Sequence, residues 1–402
     1  MVLFRESINK KDITFALVLL VITLVISFIP TGSCKVDSYR EKIAKARILE
    51  TDNSETQQFG IVKTGDQGLR VQILNGKFKG QEFETVNTLI GKLELDKMFM
   101  PGDTALVGLD LTDEGTKVVF VNVIDHYRIH IEIFLFALFA LMLVFFAGWT
   151  GMKALLSFLF SIVLIWKLLL PGMLQGLEPM WLTFGVVCLL TGGIIFLIGG
   201  LSKKGIVAFL GSISGVGITC ILSILFGKAF NVHGAVKPFS ETLLYSGFGN
   251  LDLTKIFLSG IFLASSGAVM DISMDIAASQ QEVINNYPEI HPKKLILSGF
   301  AVGRAVVGTM TTTLLLAYSG GYTSMLMVFM AQGTPVVNIL NISYVSAEIL
   351  YTLIGSFGLV MVAPFTAIIG GIFLPSHQKQ KNSSLSKQVQ ARLSVFGEKM
   401  ED

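Results

Sequence analysis

Charge is scarce in this sequence. Asp, Glu, Lys and Arg make up 15% of its 402 residues, against about 25% in soluble domains. Hydrophobic residues reach 52% and the mean hydropathy is +0.66. A soluble fold of this length could not bury that much apolar surface, so lipid is the expected solvent. Cysteine is nearly missing too: Cys34, Cys188 and Cys220 are the three. No disulfide framework, no Cys/His zinc spacing and no Cys-x-x-Cys pair occurs. Cys188 and Cys220 fall inside apolar runs, where thiols pack as small hydrophobes. Thr31-Gly32-Ser33-Cys34 is a weak lipoprotein-like match, because Thr31 stands where an apolar residue is expected. No Gly-rich phosphate loop with Lys-Ser/Thr, no GxSxG and no HExxH is present, so the chain reads as a non-enzyme with no cofactor. The five histidines (His126, His130, His233, His291, His377) are scattered. His126 and His130, four apart, read either as a metal pair or as an interfacial pair. The net charge is +2 and no basic run is interleaved with aromatics, so nucleic acid is not a partner.

What is abundant is length of apolar run. Spans of near 20 apolar residues, enough to cross a hydrocarbon core, read as Ile13–Ile29, Ile129–Phe146, Lys153–Leu170, Trp181–Gly200, Gly205–Phe226, Ile256–Met270, Leu295–Tyr318 and Ile349–Leu374. Lys and Arg placement sets orientation. Arg5, Lys10 and Lys11 put the N-terminus inside. Lys203-Lys204 and Lys293-Lys294 mark further inside loops, and Lys379, Lys381, Lys387, Arg392 and Lys399 mark a cytoplasmic tail. The run Tyr322–Leu340 is interrupted by Gln332-Gly333-Thr334-Pro335. One reading makes it a re-entrant segment that does not cross, the kind of broken backbone that marks transporter sites. The other makes it a ninth span with a proline kink, which leaves the tail outside.

Between the first two spans the pattern changes period. Leu69-Arg70-Val71-Gln72-Ile73-Leu74 alternates, Asn75-Gly76 follows, and Lys77–Thr85 alternates again, a strong hairpin signal. With Ala44–Glu50, Phe59–Lys63, Ala105–Leu109 and Lys117–Val123 this makes five or six short strands, economically closed as a small barrel. The expected architecture is an α-helical polytopic membrane protein of about eight transmembrane helices plus a re-entrant segment, with a small extracytoplasmic OB-like β-barrel. Its parts are a first segment and span at 1–33, the β domain at 34–128, the helical bundle at 129–375 and a tail at 376–402.

Charge inside a span is costly and therefore informative. Asp271 and Asp275 are one helical turn apart, and Glu282 lies eleven residues after Asp271 on the same face. The stripe could receive a cation or proton, or could simply leave the membrane solvated. Arg304 stands near mid-membrane and needs a partner, with Asp271, Asp275 and Glu348 as candidates. Gly299 and Gly303 give a small-residue face beside it. Either a gate or a structural ion pair fits these residues. Thr309 and Thr311–Thr313 supply hydroxyls at that level, most of them expected to bond their own backbone. Asn338 and Asn341 read as polar liners or as helix–helix hydrogen bonds. Gly333, Thr334 and Pro335 form the break. Lys167 is expected to snorkel, and Glu348 opens the last span.

The stretch 265–320 has Gly267-Ala268-Val269-Met270-Asp271, Ser298-Gly299, Gly303-Arg304, Gly308-Thr309-Met310, Thr313-Leu314, Ala317-Tyr318 and Gly320. It resembles the YibE/F family of multi-pass bacterial membrane proteins. Ala347-Glu348-Ile349, Gly355-Ser356, Gly358-Leu359-Val360, Ala363-Pro364 and Thr366 fit the same pattern, as do Asn75-Gly76, Lys79-Gly80 and Pro101-Gly102-Asp103. In that family the arginine is typically followed by Asp and the third Thr-like site by Asn, where this chain has Ala305 and Thr312. The resemblance covers nearly the whole chain after the first span and implies a bacterial cytoplasmic membrane. The family has no established activity, so the resemblance bears on architecture. Function is expected to be transport of a small solute or ion at Asp271, Asp275, Arg304 and Glu348. The alternative is a scaffold whose residues 34–128 bind an envelope protein or cell-wall polymer. Membrane lipid and a second copy of the chain are the other expected partners.

Overall fold

The computed structural model describes residues 10–30, 41–112 and 115–375. The expected inside N-terminus, Cys34 and the tail at 376–402 lie outside the described residues. The chain forms two compact units, divided between Thr31 and Gly32 and again between Met142 and Leu143.

After the helix α1 (Lys10–Ser27) come β1 (Glu41–Phe59), β2 (Val62–Ile73), β3 (Glu82–Ile90), β4 (Thr104–Leu111) and β5 (Val118–His126). They form an antiparallel sheet in the order β3-β2-β1-β4-β5. Strand β1 pairs with β4 through Glu41–Arg47 and with β2 from Ala46 to Phe59, bending at two register shifts. The outer strands β3 and β5 nearly meet, and the Thr85 hydroxyl donates to the Val121 carbonyl between them. The result is a nearly closed five-stranded barrel. Alternation built it: Ala44, Ala46 and Ile48, Leu69, Val71 and Ile73, and Ala105, Val107 and Leu109 all point into one core. The Asn75-Gly76 hairpin is longer than the two-residue turn expected. Residues 74–81 loop between β2 and β3 because Phe78 turns into the core.

One polar cluster is sealed inside this barrel. Gln67 is fully buried. Its amide nitrogen donates to the Asn53 side chain and to the Phe99 carbonyl, both at 2.9 Å, while its oxygen accepts from the Phe99 amide at 3.1 Å. Asn87 donates to the same oxygen and to the Lys97 carbonyl. Gln67 thus pins the 91–103 loop to the sheet. Asp96 holds the start of that loop by accepting from the amides of Ile90, Gly91 and Lys92 at 3.0, 2.7 and 2.8 Å.

The helical part runs α2 (Ile129–Leu164), a π-turn (Ile165–Leu169), α3 (Leu170–Leu174), α4 (Pro179–Gly199), α5 (Lys203–Ala229), a 3-10 turn (Gly234–Val236), α6 (Ser240–Tyr245), α7 (Leu253–Asn286), α8 (Pro292–Ala331), α9 (Val336–Asn341) and α10 (Ser343–Phe373). Among the described residues six helical stretches are long and apolar enough to cross a membrane, not about eight. Two causes account for the difference. The apolar part of α1, Asp12–Ser27, is short, and the expected second and third spans belong to one stretch, Ile129–Leu174. That stretch is broken at Gly148, which takes φ 54° and ψ −126°. The Leu143 carbonyl lies against Gly151 there, where a straight helix would hold residues eight apart about 12 Å from each other. The chain therefore turns back on itself at Gly148.

The expected re-entrant element is also redrawn. Residues 322–331 continue α8, which runs 40 residues through Ser319-Gly320-Gly321 without a break. The interruption falls where Gly and Pro stand: Gly333 is left-handed at φ +66°, Thr334 donates its amide to the Phe329 carbonyl, and Pro335 caps the short α9.

Packing centres on α5, α7 and α10. A Cβ on Gly215 would stand 2.9 Å from Val362, and Gly211 lies against Thr366, so α5 and α10 touch backbone to side chain. Ser212 on α5 and Ser273 on α7 share a hydrogen bond of 2.5 Å.

Candidate functional site

At one end of the bundle α4, α7 and α10 begin and α5 ends. Just past the 3-10 turn, Lys237 pairs with Glu348 near the start of α10. The two side chains are 34% and 23% exposed, so the pair is partly desolvated. The ammonium also stands 4.9 Å from the centre of the Tyr351 ring and 5.6 Å from that of Phe257, within cation–π range. Tyr351 is fixed in turn: its hydroxyl donates to the Gly260 carbonyl at 2.8 Å. Tyr318 meets its ring edge-on at 5.0 Å. The Tyr318 hydroxyl is buried and has no hydrogen-bond partner among the described residues.

Lys237, Glu348, Tyr318 and Tyr351 line a cavity of about 720 Å³ between segment 235–242, α8 and α10. Small-molecule sites commonly have 300–1,000 Å³ and a few convergent polar groups. Tyr322 and Tyr344 complete its aromatic lining. Phe239, on its rim, is a non-glycine residue held left-handed at φ 61°, a conformation that persists only when its surroundings hold it. Chemically, the cavity offers one exchangeable ion pair. An anion would compete with Glu348 for Lys237, and a cation with Lys237 for Glu348.

A second cavity, of about 590 Å³, lies beside Glu178, Lys255 and Asp252. Lys255 reaches Glu178 at 3.1 Å and Asp252 at 3.6 Å. Glu178 also accepts from the Met180 and Trp181 amides, capping α4, and Asp252 caps α7 through the Lys255 amide. Both carboxylates are committed to helix caps as well as to Lys255, so this group clasps α4 to α7.

Of the charged and polar site candidates read from the sequence, Glu348 alone enters the first cavity, beside the motif residues Ala317 and Tyr318. Asp271, Asp275 and Arg304 are exposed along α7 and α8. Among the described residues no ion pair joins Arg304 to Asp271, Asp275 or Glu348. Gly299 and Gly303 do form a small-residue face, but it is turned into the bundle against Ala367 and Ala363. Thr309, Thr311 and Thr313 bond the carbonyls of Val306, Val307 and Thr309 on their own helix. Asn338 and Asn341 are exposed on α9, and Asn341 donates to the Val337 carbonyl. Lys167 reaches the Ile29 carbonyl at 3.1 Å. In the barrel unit His126 packs on Phe99 and approaches Asp103, whereas His130 stacks on Tyr127. Among the described residues no three His, Cys, Asp or Glu side chains gather in a way that could hold a metal ion.

Sequence reasoning passed over Lys237 and Gln280. Lys237 lies in a loop 111 residues from its partner. Gln280 is fully buried in α7 and donates to the carbonyls of Leu295 on α8 and Ala367 on α10, at 3.1 and 2.9 Å. Gly299 and Gly370 make room for it. Its side-chain oxygen has no partner among the described residues. Spacing was the available signal for Gln280, which shares the inward face of α7 with Ser273 and Ile276.

A β-barrel unit together with six long apolar stretches and a polar cavity at one bundle end defines a multi-pass membrane protein. The family described as YibE/F-like protein matches residues 135–376, and the YibE/F family N-terminal domain matches residues 37–126. The chain belongs to the YibE/F family. No curated protein and no solved structure matches it.

Proposed function

We propose that this protein is a transporter or permease for a small charged solute or ion, received at the Lys237–Glu348 cavity. The observation that carries the reading is a partly desolvated, exchangeable ion pair facing an aromatic-lined space of about 720 Å³. Lys203, Lys204, Lys293 and Lys294 start α5 and α8, at the bundle end opposite Lys237 and Glu348. With lysines on the cytoplasmic side, and with α1 and both arms of the turn at Gly148 each crossing, the cavity opens outward, the β domain is extracytoplasmic and OB-like, and both termini are cytoplasmic. Solute profiling tests this in cells making the wild-type chain, Lys237→Met or Glu348→Gln. The expected result is at least one small charged solute whose level follows the wild-type chain and is lost in both variants. Identical solute levels in all three strains would refute it.

A second reading has one observation in its favour. The β1–β2 hairpin tip carries Phe59 and Ile61 at 65% and 79% exposure, apolar groups that a binding partner would cover. On this reading the barrel holds an envelope protein and the helices anchor it. Deleting Lys35 to His126 separates the two: lost partner capture with unchanged solute levels favours the scaffold.

A further inference from the structure

Helix α7 is mostly buried, yet one narrow stripe of it is open: Ala264, Gly267, Asp271, Asp275, Ala278 and Glu282. The spacing of three and four residues puts them on one face. Helix α8 has an open stripe as well, with Ala301, Arg304, Ala305, Gly308 and Thr312. A Cβ added at Gly267 or Gly308 would meet nothing within 4 Å.

Depth brings the charges of the two stripes into line. Asp275 and Asp271 precede the α7 end at Asn286 by 11 and 15 residues, and Arg304 follows the α8 start at Pro292 by 12. At about 1.5 Å per residue these are roughly 17, 22 and 18 Å along antiparallel helices joined by a short loop. A lone guanidinium and two carboxylates at that depth are expensive in hydrocarbon. Among the described residues of one chain no ion pair joins them.

We infer that a second copy of this chain covers these stripes, with Arg304 of each copy paired to Asp271 and Asp275 of the other. A two-fold axis makes such contacts reciprocal. Opposite charge lies on different helices at matched depth, so each copy carries both halves of the complement. The small residues around the charges let the helices approach closely. This interface is independent of the cavity reading, because Lys237 and Glu348 lie at the bundle end and touch neither stripe.

The test uses the full chain in lipid bilayers over a series of lipid dilutions, with stoichiometry read by single-molecule photobleaching. Wild type is expected to dimerise. Arg304→Glu alone, or Asp271→Lys with Asp275→Lys, is expected to weaken the dimer by roughly thirtyfold or more, the cost of leaving a desolvated charge unpaired. Combining all three reverses the charges on both sides and restores the dimer. A cross-link that leaves the charges intact guards against misfolded variants. Chains with Ala301→Cys are mixed with chains carrying Ala278→Cys, in a background lacking Cys34, Cys188 and Cys220. A bismaleimide product joining the two chain types supports the interface. A monomeric wild type at every dilution, single-side variants that dimerise like wild type, or no mixed cross-link would overturn it.

Discussion

Gly370→Ala is expected to damage this bundle far more than one methyl group would suggest, and to do so only while Gln280 is present. A Cβ at position 370 would fall on the Gln280 side-chain oxygen and come within 2.8 Å of its Cδ. Gln280 cannot swing aside without losing its bonds to the Leu295 and Ala367 carbonyls. Overpacking of this kind costs about 1–3 kcal/mol. In the Gln280→Ala background the same glycine faces Val207 at 3.3 Å, and the alanine fills part of the vacated space. Gln280→Ala by itself gives up two interhelical hydrogen bonds, about 0.6 kcal/mol each in membrane proteins, and relieves an acceptor that has no partner among the described residues. The double-mutant cycle should therefore report a favourable coupling of about 1–3 kcal/mol. Unfolding in mixed micelles, followed by the fluorescence of Trp149, Trp166 and Trp181, gives the four free energies. Equal penalties for Gly370→Ala with and without Gln280 would refute the contact that the reasoning depends on.

In the barrel, Gln67→Leu should cost about 3 kcal/mol, since it strands the Phe99 amide and takes one of the two bonds made by the Asn87 amide nitrogen. Hydrogen exchange would show the 91–103 loop losing protection, whereas an unchanged loop would remove Gln67 as its anchor. The Asp96 carboxyl titrates below the usual carboxylate range, chiefly because the Ile90 amide donates to it; burial opposes this, and the Gly91 and Lys92 amides and nearby Lys97 add to the lowering. Its ionised form is thus favoured by the fold, so its contribution is complete above the unfolded carboxylate pKa of about 3.9 and fades as the pH falls below that. Asp96→Asn should flatten the acid limb of barrel stability, and an identical limb in both proteins would count against it. Gly215→Leu should fail to assemble, because a Cβ there already meets Val362 at 2.9 Å and Val269 at 3.1 Å. A normally folded Gly215→Leu protein would mean that α5 and α10 are less closely packed.

Local physics is readable in the sequence and long-range packing is not. The alternation at Leu69–Leu74 places β2, and its odd positions do fill the barrel core. The break at Gln332–Pro335 is legible because Gly333 and Pro335 act on their own backbone. Ser319-Gly320-Gly321 looks like punctuation of the same kind, yet α8 passes through it, since backbone in hydrocarbon must satisfy its own hydrogen bonds and helix is kept there despite glycine. The turn at Gly148 falls in the gap between Phe146 and Lys153 that separates the second and third expected spans, although helix runs on either side of it as one long apolar stretch. The sequence suggests a carboxylate for Arg304 inside one chain, but this side chain lies on the open face of α8 while Gly303 faces inward. A shift of one residue on a helix moves a side chain by about 100°, and no periodicity in the sequence resolves that angle. Lys237 and Glu348 meet only after two helices have been laid side by side.

The bonds made by Gln280 have a bearing on biosynthesis. Helices reach the membrane in the order in which they are translated, and the Ala367 carbonyl that satisfies this amide arrives with α10, the last of the described helices. Until then Gln280 has only the Leu295 carbonyl of α8 to donate to, and Gly211 and Gly215 of α5 lack the Thr366 and Val362 surface they pack against. A ribosome stalled before residue 343 would leave a chain that is inserted but open along this seam, a ready substrate for membrane proteases. Completion of α10 is the event that closes the seam between α5, α7 and α8.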